Sequence, residues 1–519
     1  MIRQTISFVL AAFLFSGIVP ANASERTGAG VEIHGPSLIG PGSLGLNARS
    51  YPAVPKSGAS SQLVDACVTQ AMSAANTPGA AVAVLEGGVM TYQQGYGVKR
   101  RHGTDPVTPD TQFRIGSITK MLTAAAVMQQ AEAGRLNLDD PVTELVPEFA
   151  IAAPWNADHI TIRHLLTHSS GFPDRMFSVN GPRDGDALSD WAAEQGDVPL
   201  HAPPGAFWNY SNPNYMLAGL IVERASGTPY QQYMHEQVFA PAGMTHTTLR
   251  PFDVVWNDDW AWGHYTYSNA GQEVELRPDS YDDWRAAPAG LAFSSASDLV
   301  YWADLLMTGG GSVLAPRSCD AMQAEQGELH YQSTDYYGFG VFSERYHEVD
   351  VKQHGGNVPG WGAFLLWVPE SRFAVAVLAN TFESLPGAAY CIADQLLGLE
   401  HIPAPDETTP VASWKRFEGR YDFVDVFGRP WLGSVTWTPT GLGLEMSLET
   451  GEPYLVEGSL VPIFADTFAY DLDDDGVLET DFTFISSPGE PAPTRWMRNR
   501  SYVGTLSVPV RQGAGRSTP

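Results

Sequence analysis

Ser117 and Lys120 stand three residues apart in a stretch whose apolar pattern predicts a helix. Residues at positions i and i+3 of a helix lie on the same side, one turn apart. A serine hydroxyl becomes an effective nucleophile when a neighbouring base takes its proton. A lysine can be that base if burial lowers its pKa. The pair therefore predicts a serine nucleophile with Lys120 as its base, and a serine helix cap beside an exposed lysine is the structural alternative.

Apolar residues around the pair favour the catalytic interpretation. Ile118, Met121 and Leu122 continue a face that predicts burial of this helix. Lowering a lysine pKa from about 10.4 to near 7 corresponds to roughly 4 to 5 kcal/mol, which burial can supply. Among the five lysines of the chain, Lys120 alone has a serine three residues before it.

Two further elements follow the pair in a fixed order: Tyr210-Ser211-Asn212 and His354-Gly355-Gly356. With Ser117-Ile118-Thr119-Lys120 they resemble the three elements of the penicillin-recognising serine hydrolases. Within these, the chain is similar to the class C β-lactamase-like group, which also contains D,D-peptidases, D-aminopeptidases and esterases. Segments 164–172 and 241–244 are also typical of that family, and the resemblance spans about residues 60–400. Tyr-Ser-Asn occurs again at Tyr267, where the flanking strand-like runs predict a surface hairpin.

The resemblance implies roles for the second element. Tyr210 would act as base or proton shuttle, and a phenol in this role needs a nearby positive charge, for which Lys120 is the natural source. Asn212 would orient Lys120 or bind the amide of the substrate. Because Pro213 follows it, Asn212 could also be a helix N-cap, which is compatible with a place at the cleft.

The third element supplies the remaining predicted site residues. By the resemblance, the backbone N–H groups of Ser117 and Asn357 would form an oxyanion hole, in which each donor is worth about 3 to 4 kcal/mol. Gly355 and Gly356 would let substrate lie close to the strand. Many β-lactamases and D,D-peptidases have lysine where this chain has His354. A histidine is mostly neutral at neutral pH, so we expect weak recognition of a substrate carboxylate.

The pattern of elements predicts an α+β fold of the β-lactamase/D,D-peptidase type, with an antiparallel sheet flanked by helices and a helical subdomain. Strands are expected at both ends of residues 59–400 and meet in the sheet, with helices between them. After a proline-rich linker at 401–412, short alternating runs over 413–507 predict a small all-β barrel-like domain, followed by a tail at 508–519. The expected helices cover 61–75, 117–133, 162–166, 214–225, 296–307 and 387–397, and the expected strands include 80–85, 363–368 and 373–379.

The N-terminus resembles a secretory signal. Arg3 precedes an apolar stretch at 6–19, and Ala21-Asn22-Ala23 offers small residues for cleavage. The stretch is shorter than the ~20 residues of a membrane-spanning helix. We therefore expect cleavage near Ala23, a flexible segment at 24–58, and a periplasmic or secreted protein without a stable membrane anchor.

Three cysteines, Cys67, Cys319 and Cys391, allow one disulfide at most, and three buried thiols are the alternative. The family fold packs the first and last helices of the catalytic domain side by side. The resemblance therefore implies Cys67 and Cys391 as the pair, if a disulfide forms.

Charge and composition exclude other classes of function. The chain carries 58 acidic against 30 basic residues, a net charge of −28. Such a surface repels phosphate backbones, so no nucleic-acid partner is expected. No spacing of cysteine or histidine predicts a metal site, and no cofactor is expected. Residues 471–476 begin like a calcium loop, but Phe482 stands at the twelfth position, which favours an acidic β-turn.

Two functional hypotheses follow. The first is a serine hydrolase that cleaves an amide or ester of a small molecule or peptide through an acyl-enzyme on Ser117, of esterase or D-amino-acid peptidase type rather than an efficient β-lactamase. The second is a catalytically silent penicillin- or peptidoglycan-binding protein with the C-terminal domain as recognition module.

Trp208, Trp361 and Phe172 are candidates for an apolar cleft, although packing in the core is more frequent for such residues. The oligomeric state is left open.

Overall fold

The computed structural model describes residues 58–174, 181–267, 272–329, 335–399, 411–425, 428–448, 455–464, 466–470, 480–485, 496–498 and 502–509. The predicted signal peptide, the N-terminal segment up to residue 57, residues 401–410 of the predicted linker, the acidic turn at 471–476 and residues 510–519 lie outside the described residues. Within the part that is described, no helix combines the length and the apolar character needed to cross a membrane.

Eight antiparallel strands form the sheet of the N-terminal domain, in the order β2-β1-β12-β11-β10-β9-β8-β7. β1 pairs with β12 from Ala80 opposite Ala379 onward, which confirms that the two ends of this domain meet in the sheet. Two short pairs, β3 with β6 and β4 with β5, lie outside it. The strands are β1 (Gly79–Glu86), β2 (Val89–Gly97), β3 (Phe113–Arg114), β4 (Gly263–Tyr267), β5 (Gln272–Leu276), β6 (Phe293–Ser294), β7 (Gly327–Glu328), β8 (Tyr336–Tyr337), β9 (Phe342–Tyr346), β10 (Val349–Val358), β11 (Trp361–Val368) and β12 (Phe373–Ala379).

Helices connect the strands and cover both faces of the sheet. They are α1 (Gly58–Ala74), α2 (Thr119–Glu132), α3 (Ile162–Leu166), α4 (Ala187–Ala193), α5 (Asn212–Ser226), α6 (Tyr230–Tyr233), α7 (Ala240–Ala242), α8 (Pro251–Asn257), α9 (Ala287–Gly290), α10 (Ala296–Met307), α11 (Pro316–Gln323) and α12 (Pro386–Leu397). A π-helix at Met234–Phe239 joins α6 to α7, and 3₁₀ turns lie at Gly116–Ile118, Val142–Glu144, Ala157–His159, Pro369–Ser371 and Val411–Phe417.

The neighbouring strands β11 and β12 are apolar along their whole length because both of their faces are covered. In β1, Val82 and Val84 face a cluster formed with α1 and α12, while Ala83 and Leu85 face the larger helical region. α1 and α12 pack side by side, and a disulfide joins Cys67 to Cys391. The pairing that the family resemblance implied is therefore present, and Cys319 is a buried free thiol.

A closed antiparallel barrel follows, with β13 paired to both β14 and β20. Aromatic side chains fill its interior, among them Phe417, Phe468 and Phe484. The all-β prediction is confirmed. The strands are β13 (Gly419–Asp425), β14 (Pro430–Thr438), β15 (Gly441–Leu448), β16 (Leu455–Phe464), β17 (Thr467–Tyr470), β18 (Thr480–Ile485), β19 (Trp496–Arg498) and β20 (Tyr502–Pro509).

Candidate active site

Ser117 lies in the 3₁₀ turn Gly116–Ile118, directly before α2. The predicted helix therefore begins two residues later than expected, at Thr119. The reason is Gly116, whose φ of +50° is a left-handed conformation that glycine adopts without steric cost. A Cβ on Gly116 would lie 2.6 Å from the backbone nitrogen of Asn357. The turn thus packs against β10 and brings the serine to that strand.

Lys120 is fully buried, so the structural alternative of an exposed lysine is wrong. Its ammonium nitrogen, Nζ, lies 3.1 Å from Ser117 Oγ, 2.7 Å from Asn212 Oδ1 and 2.6 Å from the carbonyl oxygen of Ala289 in α9. A lysine ammonium has three N–H donors, and these three acceptors hold it in one position beside the serine. The distance to Oγ is within reach of proton transfer.

Asn212 accepts a hydrogen bond from the lysine and is not the N-cap residue of α5. The helix begins at Asn212, with Ser211 as its N-cap residue. Asp174 Oδ1 accepts hydrogen bonds from the backbone nitrogen of Asn212 at 2.8 Å and from its Nδ2 at 3.1 Å. Because Nδ2 is directed to the carboxylate, Oδ1 of Asn212 must face Lys120. Sequence reasoning missed Asp174, which is 4% exposed. Its one signal was its position two residues after the family-typical segment 164–172.

The aromatic ring of Tyr210 lies beside the lysine. Lys120 Nζ is 4.8 Å from the ring centroid of Tyr210 and 5.7 Å from that of Tyr215. Lys120 therefore lies against the ring of Tyr210, and the role of Tyr210 in proton transfer stays a prediction. The second Tyr-Ser-Asn begins at the end of β4, and β4 pairs with β5 as the hairpin prediction requires.

His168 is a second residue that sequence reasoning missed. It is fully buried with φ of +53°, and its Nδ1 accepts from the backbone nitrogen of Ser211 at 3.1 Å and from Asn214 Nδ2 at 3.2 Å. Its ring centroid lies 4.3 Å from that of Tyr210 and 5.0 Å from that of Tyr337. His168 thus ties the start of α5 to the aromatic rings around the site. The family-typical segment 164–172 contains it, but the pattern alone gave it no role.

His354 is a buried, neutral imidazole. Burial lowers its pKa to about 3, the hydrogen bond to the Gly355 carbonyl opposes this, and the nearby charge of Lys120 adds to it. Nδ1 lies 2.6 Å from the Gly355 oxygen, so it carries the proton and donates. Nε2 then accepts from the hydroxyl of Tyr337 at 3.1 Å. Burial also holds the pKa of Tyr337 well above its usual value, which keeps that hydroxyl a donor.

The far end of β10 has a free edge toward the serine. β9 pairs with β10 only as far as Gln353, and among the described residues no strand continues along that edge. A Cβ on Gly356 would lie 1.9 Å from the carbonyl oxygen of Ile115 and 3.0 Å from the nitrogen of Ser117. The contact between β10 and the turn therefore requires glycine at position 356. The sequence interpretation had instead attributed Gly356 to the close approach of a substrate. The backbone nitrogens of Ser117 and Asn357 both lie at this contact, and Asn357 Nδ2 donates to the carbonyl of Phe382.

The three aromatic candidates for an apolar cleft, Trp208, Trp361 and Phe172, are all buried. Trp361 and Phe172 belong to the core, where the Trp361 ring NH donates to the carbonyl of Ala261. Trp208 packs with Tyr210 and Tyr337 in a separate small cluster next to the site. Among the residues that the structure describes, no group of three or more acidic, histidine or cysteine side chains could hold a metal ion.

Comparison with known proteins places the chain in a family. The family model described as Beta-lactamase matches residues 64–400. The chain belongs to the beta-lactamase family. The matched region contains every predicted site residue, and the predicted β-lactamase-like α+β fold is confirmed.

Curated relatives are similar at 28% identity. One is "Protein flp" of Staphylococcus aureus (strain MW2), aligned over 325 residues, 62% of this chain and 63% of the relative. Another is "Unguisins hydrolase ungD'" of Aspergillus campestris (strain IBT 28561), aligned over 363 residues, 67% of this chain and 66% of the relative. The chain thus spans about two thirds of the length of the curated relatives that it matches.

Solved structures share the fold. SurE is 24% identical with a TM-score of 0.67, and the match covers 86% of this chain and 99% of SurE. The octameric penicillin-binding protein homologue from Pyrococcus abyssi is 23% identical with a TM-score of 0.59, covering 86% of this chain and all of that one. D-amino acid amidase from Ochrobactrum anthropi SV3 matches 65% of this chain and 99% of its own, with 23% identity and a TM-score of 0.55.

Proposed function

We propose that the protein is a serine hydrolase that cleaves an amide or ester bond through an acyl-enzyme on Ser117. The observation that carries the proposal is the buried Lys120, whose Nζ lies 3.1 Å from Ser117 Oγ and is held there by Asn212 and Ala289. A nucleophile within hydrogen-bond reach of a base that a third group orients is the arrangement that nucleophilic catalysis requires.

The steps follow from these positions. Lys120, in its neutral form, takes the proton of Ser117 as Oγ attacks the carbonyl carbon of the substrate. The N–H groups of Ser117 and Asn357 stabilise the oxyanion that forms. Tyr210 passes the proton to the leaving amine or alcohol, whose bond to the carbonyl carbon breaks. Water then attacks the acyl-enzyme, releases the acid and returns the proton to Ser117.

The neutral state of His354 favours an ester or a D-amino-acid peptide over a β-lactam as substrate. A lysine at this position would offer a permanent positive charge to a substrate carboxylate, whereas a histidine with a pKa of about 3 offers none at neutral pH. The names of similar proteins fit a hydrolase, since they include a D-amino acid amidase and an unguisins hydrolase.

We also propose that the protein works outside the cytoplasm, after removal of residues 1–23. The disulfide between Cys67 and Cys391 supports this, because such bonds persist mainly in oxidising compartments. Mass spectrometry of the protein recovered from the periplasm or medium of an expressing bacterium tests it. A mature N-terminus near Ser24 is expected, and an intact Met1 in a cytoplasmic fraction would contradict the proposal.

Covalent labelling tests the proposed activity. A fluorophosphonate probe should label the wild-type protein, and Ser117→Ala should abolish labelling. Ser343→Ala is the matched control, because Ser343 also accepts a hydrogen bond from a lysine, Lys352, at 2.5 Å but lies in β9. Its labelling should equal that of the wild type. Labelling that persists in Ser117→Ala would contradict the assignment of the nucleophile.

A substrate panel separates the remaining alternatives. Nitrocefin, D-alanyl peptides, D-amino-acid amides and p-nitrophenyl esters cover the candidate classes, and we expect turnover of esters or D-amino-acid amides to exceed that of nitrocefin. A silent binding protein would show no turnover of any of them and no covalent adduct with the fluorophosphonate.

A further inference from the structure

The segment that leads into Tyr210 lies between the two domains. Residues 199–208 run directly into Tyr210, and the barrel touches this segment at several points. The ring nitrogen Nε2 of His201 lies 3.1 Å from the carbonyl oxygen of Asp425 in β13. The ring centroids of Phe207 and Trp496 of β19 are 5.4 Å apart. The barrel is therefore in contact with the segment near both of its ends.

An apolar cluster seals this contact. Phe207 and Ala202 from the N-terminal domain pack with Ile485, Trp496 and Val503 from the barrel, and all five side chains are buried. Buried apolar area of this kind holds the two domains in a fixed relation, because separating them exposes aromatic surface to water.

Arg498 extends the contact to the wall of the site. It lies in β19 and is 2% exposed. Its Nη2 donates to the carbonyl oxygen of Leu329 at 2.7 Å, and its guanidinium carbon lies 5.2 Å from the ring centroid of Trp208. A cation over a tryptophan face is attracted to it, more strongly when water is excluded. Arg498 thus binds the backbone of Leu329, directly after β7, and contacts Trp208, two residues before Tyr210.

Trp208 in turn packs with aromatic rings of the site, of which Tyr210 lies beside Lys120. Its ring centroid lies 6.4 Å from that of Tyr210, 6.1 Å from that of Tyr337 and 6.4 Å from that of His168. A shift of Trp208 would therefore disturb the packing of Tyr210, whose position relative to the lysine matters for the proposed proton transfer.

We propose that the C-terminal barrel fixes the position of Tyr210, with Arg498 as the positioning residue that acts through Trp208. The inference rests on the proposed function, since it assigns Tyr210 a part in the reaction. Arg498 acts at a distance from the reacting atoms. A barrel that only restricted access to the site would slow the reaction of large substrates more than that of small ones. Loss of Arg498 should instead slow the acylation of small and large substrates alike.

The test is the acylation rate per active site of Arg498→Met and Arg498→Lys, with a p-nitrophenyl ester and with a larger ester of the same leaving group. Active sites are counted by fluorophosphonate titration, so that unfolded protein does not enter the rate. We expect Arg498→Met to lower the rate about five- to thirtyfold for both esters, as loss of a desolvated cation–π contact implies, with a shifted pH profile. Arg498→Lys keeps the charge and should recover part of the rate.

Arg420→Met is the control, because Arg420 is an exposed arginine on the barrel strand β13. Its acylation rate should equal that of the wild type. Wild-type acylation rates in both Arg498 variants would overturn the inference, and so would a loss confined to the larger ester. If the wild type does not react through Ser117, the proposed function fails. If it does react through Ser117 and the Arg498 variants have the wild-type acylation rate, the positioning role alone fails.

Discussion

His354→Gln tests the neutral imidazole on which the proposed substrate preference depends. The pKa of His354 is lowered from 6.5 to about 3, mainly by burial. Between these two values the unfolded chain binds one proton more than the folded chain, so the free energy of unfolding rises with pH. The contribution is fully present above about pH 6.5 and is lost as the pH falls toward 3. Glutamine stays neutral and removes this dependence.

The expected magnitude follows from the two pKa values. The full difference of 3.5 units corresponds to roughly 5 kcal/mol. Between about pH 6.5 and pH 4.5, the wild type should lose about 2 kcal/mol of stability that His354→Gln does not lose. All other titratable groups contribute equally to the pH dependence of both proteins. The difference between the two stability curves therefore isolates His354.

Urea unfolding followed by tryptophan fluorescence at several pH values between about 4.5 and 6.5 measures the difference. His246→Gln is the matched control with the opposite sign. The carboxylate of Asp298, 3.9 Å from Nδ1 of His246, raises the pKa of His246, so its contribution is present at low pH and lost as the pH rises. Parallel pH dependences for the wild type and His354→Gln would refute the reasoning, because the pKa of His354 would then be the same in the folded and the unfolded chain.

Three further predictions concern the site and the scaffold. Burial raises the pKa of Glu344 to about 7, so its contribution to stability is present below about pH 4.5 and lost as the pH rises through 7. Glu344→Gln should therefore be up to about 3 kcal/mol more stable than the wild type near pH 8 and similar near pH 4.5 in thermal unfolding; an equal difference at both pH values would contradict this. Asn212→Ala removes the acceptor of Lys120 and should lower kcat about 10- to 100-fold with a p-nitrophenyl ester, and an unchanged kcat would show that Asn212 does not orient the lysine. Replacing Cys67 and Cys391 by serine opens a crosslink between residues 324 positions apart and should cost about 2 to 5 kcal/mol, whereas a melting temperature equal to that of the control Cys319→Ser would argue against a contribution from the crosslink.

Much of the scaffold is readable from local pattern. The strand Phe373–Ala379 and the helix Ala296–Met307 have the bounds that the sequence predicts, because apolar runs and helical periodicity are properties of neighbouring residues. The sequence placed the start of α2 two residues too early. The turn before α2 depends on the left-handed conformation of Gly116 and its contact with β10, which lies some 240 residues away in sequence. A turn that depends on contact with a distant strand cannot be recognised from the residues next to it in sequence.

The sequence by itself identified the candidate nucleophile and its neighbours: Ser117 and Lys120 by their spacing, and Tyr210 and Asn212 by a motif that follows them in the order typical of the family. Only the tertiary structure brought in Asp174, His168 and Arg498. Each of these acts through another residue, so its place depends on packing and hydrogen bonds between segments far apart in the chain. The charge of His354 was likewise decided by folding, because the pKa of a histidine follows from its burial and its neighbours and not from its position in a motif.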